Sequence, residues 1–357
     1  MDNPYDRTTT LPGLRQFFDT DVPRPESLSF ADYLAMDSAN RDRFDEARLF
    51  WWTSGMRIRT FALQRAHSNL ARVMRRNRLA YAGRGGLIVS GPPVHGKTDI
   101  ALSLARRVEK QRAHTEPDYR DLGEAPVVMV DAPSNGSGKA LMAAIAEFFH
   151  PGIPVPSRWT TPRVFDAAME QMRHAKTRLL IIDEAHRLAE HRNGDHGDPT
   201  DMIKEIQNQS TATVVLVGVN LESTLVFGTP RGKQVLDRCD HIRLASYTRS
   251  TDASASEWRL LVESFDLSLP LCGHEPGLVS ANSAPLLDAT AGCLGELAKL
   301  MGRLVSTVVD EPDRHNEVVT PERLADVIED YVLSSGNENR PAASARSLSV
   351  NVRAKAA

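Results

Sequence analysis

Cysteine is scarce in this chain of 357 residues: Cys239, Cys272 and Cys293 are the only three, and they stand too far apart for any paired zinc or redox spacing. That pattern argues against a disulfide framework or a structural metal knuckle, and reduced thiols of a cytoplasmic protein are the expectation. Also missing is any run approaching about 18 uninterrupted apolar residues, and the start of the chain lacks the basic-then-apolar pattern of a signal peptide, so no membrane association is expected. There is little net charge. At −3 overall, composition alone points to no polyanionic partner, and any basic surface has to be local. The rest, 41% hydrophobic and 25% charged residues, is the make-up of a globular chain long enough for two or three domains.

What the chain does have is Leu87–Thr98, Leu-Ile-Val-Ser-Gly-Pro-Pro-Val-His-Gly-Lys-Thr. Leu87, Ile88 and Val89 read as a strand buried on both faces. Gly91, Pro92, Pro93, Val94, His95, Gly96, Lys97 and Thr98 then reproduce the G-x-x-x-x-G-K-[ST] phosphate loop, and Ile100, Leu104 and Val108 continue at helical spacing. Glycines leave room for backbone N–H groups around phosphate oxygens, Lys97 reaches the β- and γ-phosphates, and the Thr98 hydroxyl takes a position on Mg²⁺. The cofactors expected are therefore ATP and Mg²⁺.

A second strong signal is Arg178–His186, four apolar residues running into Asp183 and Glu184. In open α/β sheets ligands sit at the carboxyl ends of strands, which turns both carboxylates toward the phosphate loop. Asp183 is expected to hold Mg²⁺ through water, and Glu184 to orient and activate the attacking water; an ordinary helix cap is the alternative. Another buried strand, Thr213–Val219, ends in Asn220, read either as a hydrogen-bond donor to that water or the γ-phosphate or as a simple cap or turn residue. Arg238 precedes a last strand around His241–Leu244 and is a candidate to reach the nucleotide of a neighbouring subunit, with a surface salt bridge as its alternative; Arg231 is the weaker candidate. The loop Glu190–Thr200 contains His191, Asp195, His196 and Asp198, whose spacing suits a solvated loop better than a metal site.

The organisation follows from these signals. Residues 1–40, with Pro4, Pro12, Pro23 and Pro25, are expected as an extended or partly disordered leader, and 41–246 as the nucleotide-binding α/β domain with a basic helix in front. In that helix Ala62, Leu63, Ala66, Leu70 and Val73 share one arc, with Arg57, Arg65, Arg72, Arg75 and Arg76 opposite and no acid between Met56 and Gly91. Such a stripe suits a nucleic-acid backbone, a solvated face, or a nucleotide or subunit contact. Residues 247–335 read as a small all-helical domain and 336–357 as a disordered basic tail. The fold class expected is α/β: a parallel sheet flanked by helices, followed by a helical lid.

With these pieces in order, the chain resembles an AAA+ ATPase from about Leu87 to Val332. Within that group it is similar to the transposition regulators of the TniB and TnsC type. The resemblance rests on the strand into Asp183-Glu184-Ala185-His186, the strand ending Val217-Gly218-Val219-Asn220, the spacing to Arg238, and the segments Thr290–Leu297 and Val319-Thr320-Pro321. It implies an ATP-dependent homo-oligomer, with active sites shared between subunits, on double-stranded DNA. Its partners would be a DDE transposase that it recruits or activates and a target-selection protein. In one departure, Gly295 occupies a position where many AAA+ lids carry arginine; Lys299 or Arg303 would substitute only if the lid helix faced the nucleotide. Other readings of the same skeleton are a nucleotide-dependent signalling switch acting on proteins and a replication-initiation ATPase. The absence of a wing-type DNA-binding module after the lid counts against an origin binder.

Overall fold

The computed structural model describes residues 7–81, 83–134, 136–189, 198–224, 226–311 and 317–335. In chain order, α1 (Leu11–Asp19), α2 (Phe30–Ala35), α3 (Ser38–Phe50) and α4 (Phe61–Leu79) precede β1 (Gly86–Gly91). Then follow α5 (Lys97–Thr115), β2 (Val127–Asp131), α6 (Gly138–Phe149), α7 (Thr161–His174), β3 (Leu179–Asp183), α8 (Pro199–Gln209), β4 (Thr213–Val219), α9 (Pro230–Leu236) and β5 (Cys239–Arg243). Helices α10 (Asp252–Asp266), α11 (Leu278–Ala281), α12 (Ser283–Thr290), α13 (Leu294–Val309) and α14 (Pro321–Ser334) complete the chain. It divides into two compact units: one runs to Thr20 and then takes Phe61–Leu244, while the other takes Asp21–Thr60 and the chain from Ala245 onward.

The first unit is a five-stranded sheet, all parallel, in the order β2-β3-β4-β1-β5. Strands β1 and β3 are buried along their whole length, as sheets covered by helices on both faces require. Every strand ends on the same side, so the loops after β1, β3 and β4 crowd together at one edge of the sheet. Gly91 can end β1 only as glycine: a Cβ there would lie 2.5 Å from the carbonyl oxygen of Leu244.

From residue 7 on, the leader departs from the extended or partly disordered form expected of it. Residues 11–19 form α1, and its one proline marks the helix start: Pro12 lies in the first turn and the Thr10 hydroxyl accepts the Gly13 N–H at 3.2 Å. Leu14 and Phe17 are buried in the core of the sheet unit. Arg106 stacks on Phe17 and donates to its carbonyl at 2.8 Å, while Arg120 pairs with Asp19 at 2.7 Å. The boundary expected near residue 40 also moves. Helices α2 and α3 belong to the second unit, and the helical pattern expected over 41–79 is interrupted by a π turn at Trp51–Gly55 and non-helical residues before α4. The reason is burial against distant parts of the chain, which no local periodicity reports.

In the second unit Trp51 and Trp52 join Trp258, Leu261, Phe265, Leu300, Leu304 and Tyr331 in one apolar core. Beside it Arg48 is fully buried, held by Asp45 at 2.6 Å, by both oxygens of Glu317 and by the Pro270 carbonyl at 3.1 Å. Lys299 and Arg303 are occupied locally, by Glu296 at 3.0 Å and Asp330 at 3.1 Å. The tail 336–357, and positions 190–197 of the expected solvated loop, lie outside the described residues.

Candidate nucleotide site

Strand β1 delivers Gly91, and the loop Pro92–Gly96 turns directly into α5. The turn needs left-handed backbone: φ is 63° at Val94 and 75° at Gly96, the residue before the first helical N–H groups. Lys97 Nζ donates to the Pro92 carbonyl at 2.6 Å, which keeps the ammonium over the loop, and His95 Nδ1 lies 2.7 Å from the Pro93 carbonyl oxygen.

The side chains following β1 and β3 meet. Thr98 Oγ1 donates to Asp183 Oδ2 at 2.8 Å, and the other carboxylate oxygen accepts the Glu184 N–H at 2.7 Å. Asp183 is 4% exposed. Burial holds its carboxyl above the usual range against those two hydrogen bonds, and the neighbouring charges of Glu184 and Asp131 push the same way. A hydroxyl and a buried carboxylate in contact form the hard oxygen pair that fits Mg²⁺, an ion that keeps several waters and needs few protein ligands. Among the described residues there is no cluster of three or more His, Cys, Asp or Glu side chains able to hold a metal.

Glu184 stands in left-handed backbone, φ 53°, and is partly exposed. Its carboxylate lies 3.3 Å from His186 Nε2. His186 Nδ1 accepts the Val219 N–H at 3.4 Å, which leaves Nε2 to donate to Glu184. Asn220, at φ 42°, bonds through its N–H to the Gly91 carbonyl at 3.4 Å and leaves its side chain exposed. The structure thus gathers Gly91–Thr98, Asp183, Glu184 and Asn220 at the carboxyl edge of the sheet.

Three further residues belong to this edge. Asp131 ends β2 in register with Asp183, and burial raises its carboxyl as well. Its position as the last residue of an apolar strand was visible in the sequence; the register that makes it a neighbour of Asp183 was not. In the sequence His186 stands out only as the end of the Asp-Glu strand. Glu222, which carried no motif, accepts from the Ser90 hydroxyl at 2.6 Å and from Arg243 at 3.1 Å; although burial pushes it up, these bonds help hold its carboxyl below the ordinary value.

Arg238 lies elsewhere. It precedes β5, its carbonyl accepts the N–H of Gly86 at the start of β1, and its guanidinium donates to Asn208 Oδ1 at 3.4 Å. That is the amino edge of the sheet, away from the loop of its own chain. Arg231 is exposed and pairs with Asp201 at 3.4 Å. On α4, Ala66, Leu70 and Val73 are buried, as the arc predicts. Opposite them Arg65 is exposed, Arg72 pairs with Asp240 at 2.7 Å, Arg75 reaches back to the Ala71 carbonyl, and Arg76 lies against Gly85. Arg57 falls in the second unit and is not part of this face. Asp198 caps α8 by accepting the Thr200 N–H at 2.8 Å.

A family model described as "Bacterial TniB protein" matches residues 48–249. Among solved structures, Orc1 of Aeropyrum pernix in complex with DNA is similar with a TM-score of 0.52 and 18% identity over 76% of this chain and 65% of its own. Orc2 of the same organism, in its ADPNP-ADP complexes, has a TM-score of 0.54 and 14% identity over 73% of this chain and 66% of its own. The chain spans just under two thirds of the length of each. At such identities the likeness speaks for the fold, a parallel sheet of the AAA+ P-loop NTPase kind followed by a mostly helical region. No curated protein matches the chain. Among the described residues no helix is long and apolar enough to cross a membrane.

Proposed function

Because the chain belongs to the TniB family, we propose that it is an ATP-hydrolysing AAA+ protein that assembles on double-stranded DNA in the cytoplasm and recruits or activates a DDE transposase, under the direction of a target-selection protein. The observation that carries the hydrolytic part is the 2.8 Å contact between Thr98 and Asp183 beneath the phosphate loop. The backbone N–H groups of Gly91–Thr98 bind the phosphates, and Lys97 leaves the Pro92 carbonyl for the β- and γ-oxygens. Thr98 and Asp183 would hold Mg²⁺, which when bound would supply charge neutralisation at the phosphate oxygens. Glu184 takes the proton of a water as that water attacks the γ-phosphorus, and the bond to the ADP oxygen breaks. Asn220 orients the water or the γ-phosphate. We assign Arg238 to the nucleotide of a neighbouring copy, a reading supported by its distance from the loop in its own chain. Active sites are then shared, and hydrolysis reports on assembly.

Glu184→Gln tests the mechanism. Nucleotide binding should persist while turnover falls by about 10²–10⁴-fold, the range for a lost general base; hydrolysis at the wild-type rate removes Glu184 from this role. Binding to duplex DNA should require ATP and weaken steeply with salt. ATP-loaded protein that ignores duplex DNA at low salt would leave the protein-directed signalling switch as the better reading.

A further inference from the structure

We propose that the amino edge of β2 and β3 is the surface that follows the phosphate backbone of duplex DNA, with Arg78 and Arg178 as its contacting pair. The inference rests on the DNA part of the function proposed above and moves the contact from the outer arc of α4 to a face that forms only in the folded sheet.

Arg178 is half-buried immediately before β3 and is fixed by its backbone: its N–H donates to the Pro126 carbonyl at 2.9 Å, and its own carbonyl accepts the Thr213 N–H at 2.8 Å. The end of α4 is pinned beside it, since Asn77 Nδ2 donates to Thr213 Oγ1 at 2.9 Å and to the Gly85 carbonyl at 2.8 Å. Arg78 is the next residue and is exposed. Two more cations adjoin, Arg112 and Lys176; both bind the carboxylate of Glu124, at 2.7 and 2.6 Å, and Arg112 also lies 3.9 Å from Glu116. Both oxygens of Glu124 are therefore occupied, and its single charge is shared between two cations.

That leaves Arg78 and Arg178 without an ion pair among the described residues. At Arg178 burial disfavours the charged form, and the charges of Arg112 and Arg78 act the same way against a weaker pull from Glu124. A guanidinium held half-buried with no carboxylate paired to it gains by meeting an anion. Tyr81, fully exposed just beyond Arg78, adds a hydroxyl donor. Arginine, lysine and tyrosine are the usual partners of a duplex backbone, whereas a protein interface more often presents a rim of mixed sign. Arg84 and Arg238 converge instead on Asn208, in front of β1 and β5, and stay outside this face.

The experiment measures binding of ATP-loaded protein to a short fluorescein-labelled duplex by anisotropy across a salt series. It compares wild type with Arg78→Ala, Arg178→Ala, their double variant, and Arg65→Ala/Arg75→Ala on the outer arc of α4. Each lost phosphate contact should flatten the slope of log K against log salt by about 0.9, so the double variant should lose about 1.8. Its affinity at low salt should fall roughly tenfold or more, with DNA-free ATP turnover unchanged as the control for folding. Wild-type affinity and slope in the double variant would overturn the inference and assign the face to an acidic protein; loss confined to Arg65→Ala/Arg75→Ala would place DNA on α4. Failure of the wild-type protein itself to bind the duplex would overturn the DNA reading, a separate result.

Discussion

Glu184 is held at φ 53°, a conformation that costs a non-glycine residue free energy and persists only where its surroundings fix it. Its surroundings include His186, which joins the Glu184 carboxylate at 3.3 Å to the Val219 N–H at 3.4 Å, one residue before Asn220. Removing the imidazole leaves the carboxylate free to rotate away from a bound water. His186→Ala should lower kcat about 10–100-fold, the worth of a hydrogen bond to a charged group, with little change in the KM for ATP; His186→Gln, which keeps a donor, should recover part of it. Equal losses in both parameters would instead indicate a damaged site. The residues legible in the sequence were those whose chemistry is packed into consecutive positions: Gly91 to Thr98, and Asp183 with Glu184. Asp131, His186 and Glu222 acquire their meaning from how the strands are ordered and aligned, which brings Asp131 beside Asp183 and Glu222, just after β4, to Ser90 of β1, and that alignment is not written in any one strand.

The same division governs the elements. Strands buried on both faces read as uninterrupted apolar runs, so β1, β3 and β4 were visible within a residue or two. Helix α1 was not, because its nine residues bury only Leu14 and Phe17 as large apolar groups, against a core assembled from residues far along the chain. Glu124 shows how such distant pieces are tied together: it joins the end of α5, through Arg112, to the approach to β2 and β3, through Lys176. Those cations hold its carboxyl down at about 2, against 4.5 for an ordinary glutamate. A carboxyl depressed on folding stabilises fully above its unfolded value and loses that contribution as pH falls through the folded one. Glu124→Gln should therefore melt below wild type at neutral pH, and the gap should close between pH 4.5 and about 2. A gap independent of pH would mean that the charge contributes nothing.

At the scale of the whole molecule, the proposed assignment of Arg238 to a neighbouring copy would make activity a property of mixtures. Arg238→Ala alone should lower turnover by about 10³-fold or more if it supplies a finger in trans. Lys97→Ala alone should lose nucleotide binding. Mixed, the two should regain part of the wild-type rate, because a Lys97→Ala copy still offers Arg238 to the intact loop of the other; a mixture as inactive as its components confines Arg238 to its own chain. The buried contact of Arg48 with Glu317, 269 positions apart, has a consequence of another kind. The sheet unit has its last strand by Arg243, whereas the second unit begins at Asp21 and cannot close its ion cluster before Glu317 emerges. On a ribosome adding about 5–20 residues per second, α3 waits on the order of ten seconds to a minute for its partner. During translation the nucleotide-binding half can be finished while Trp51 and Trp52 still lack Trp258 and Phe265, the later-made residues that share their core.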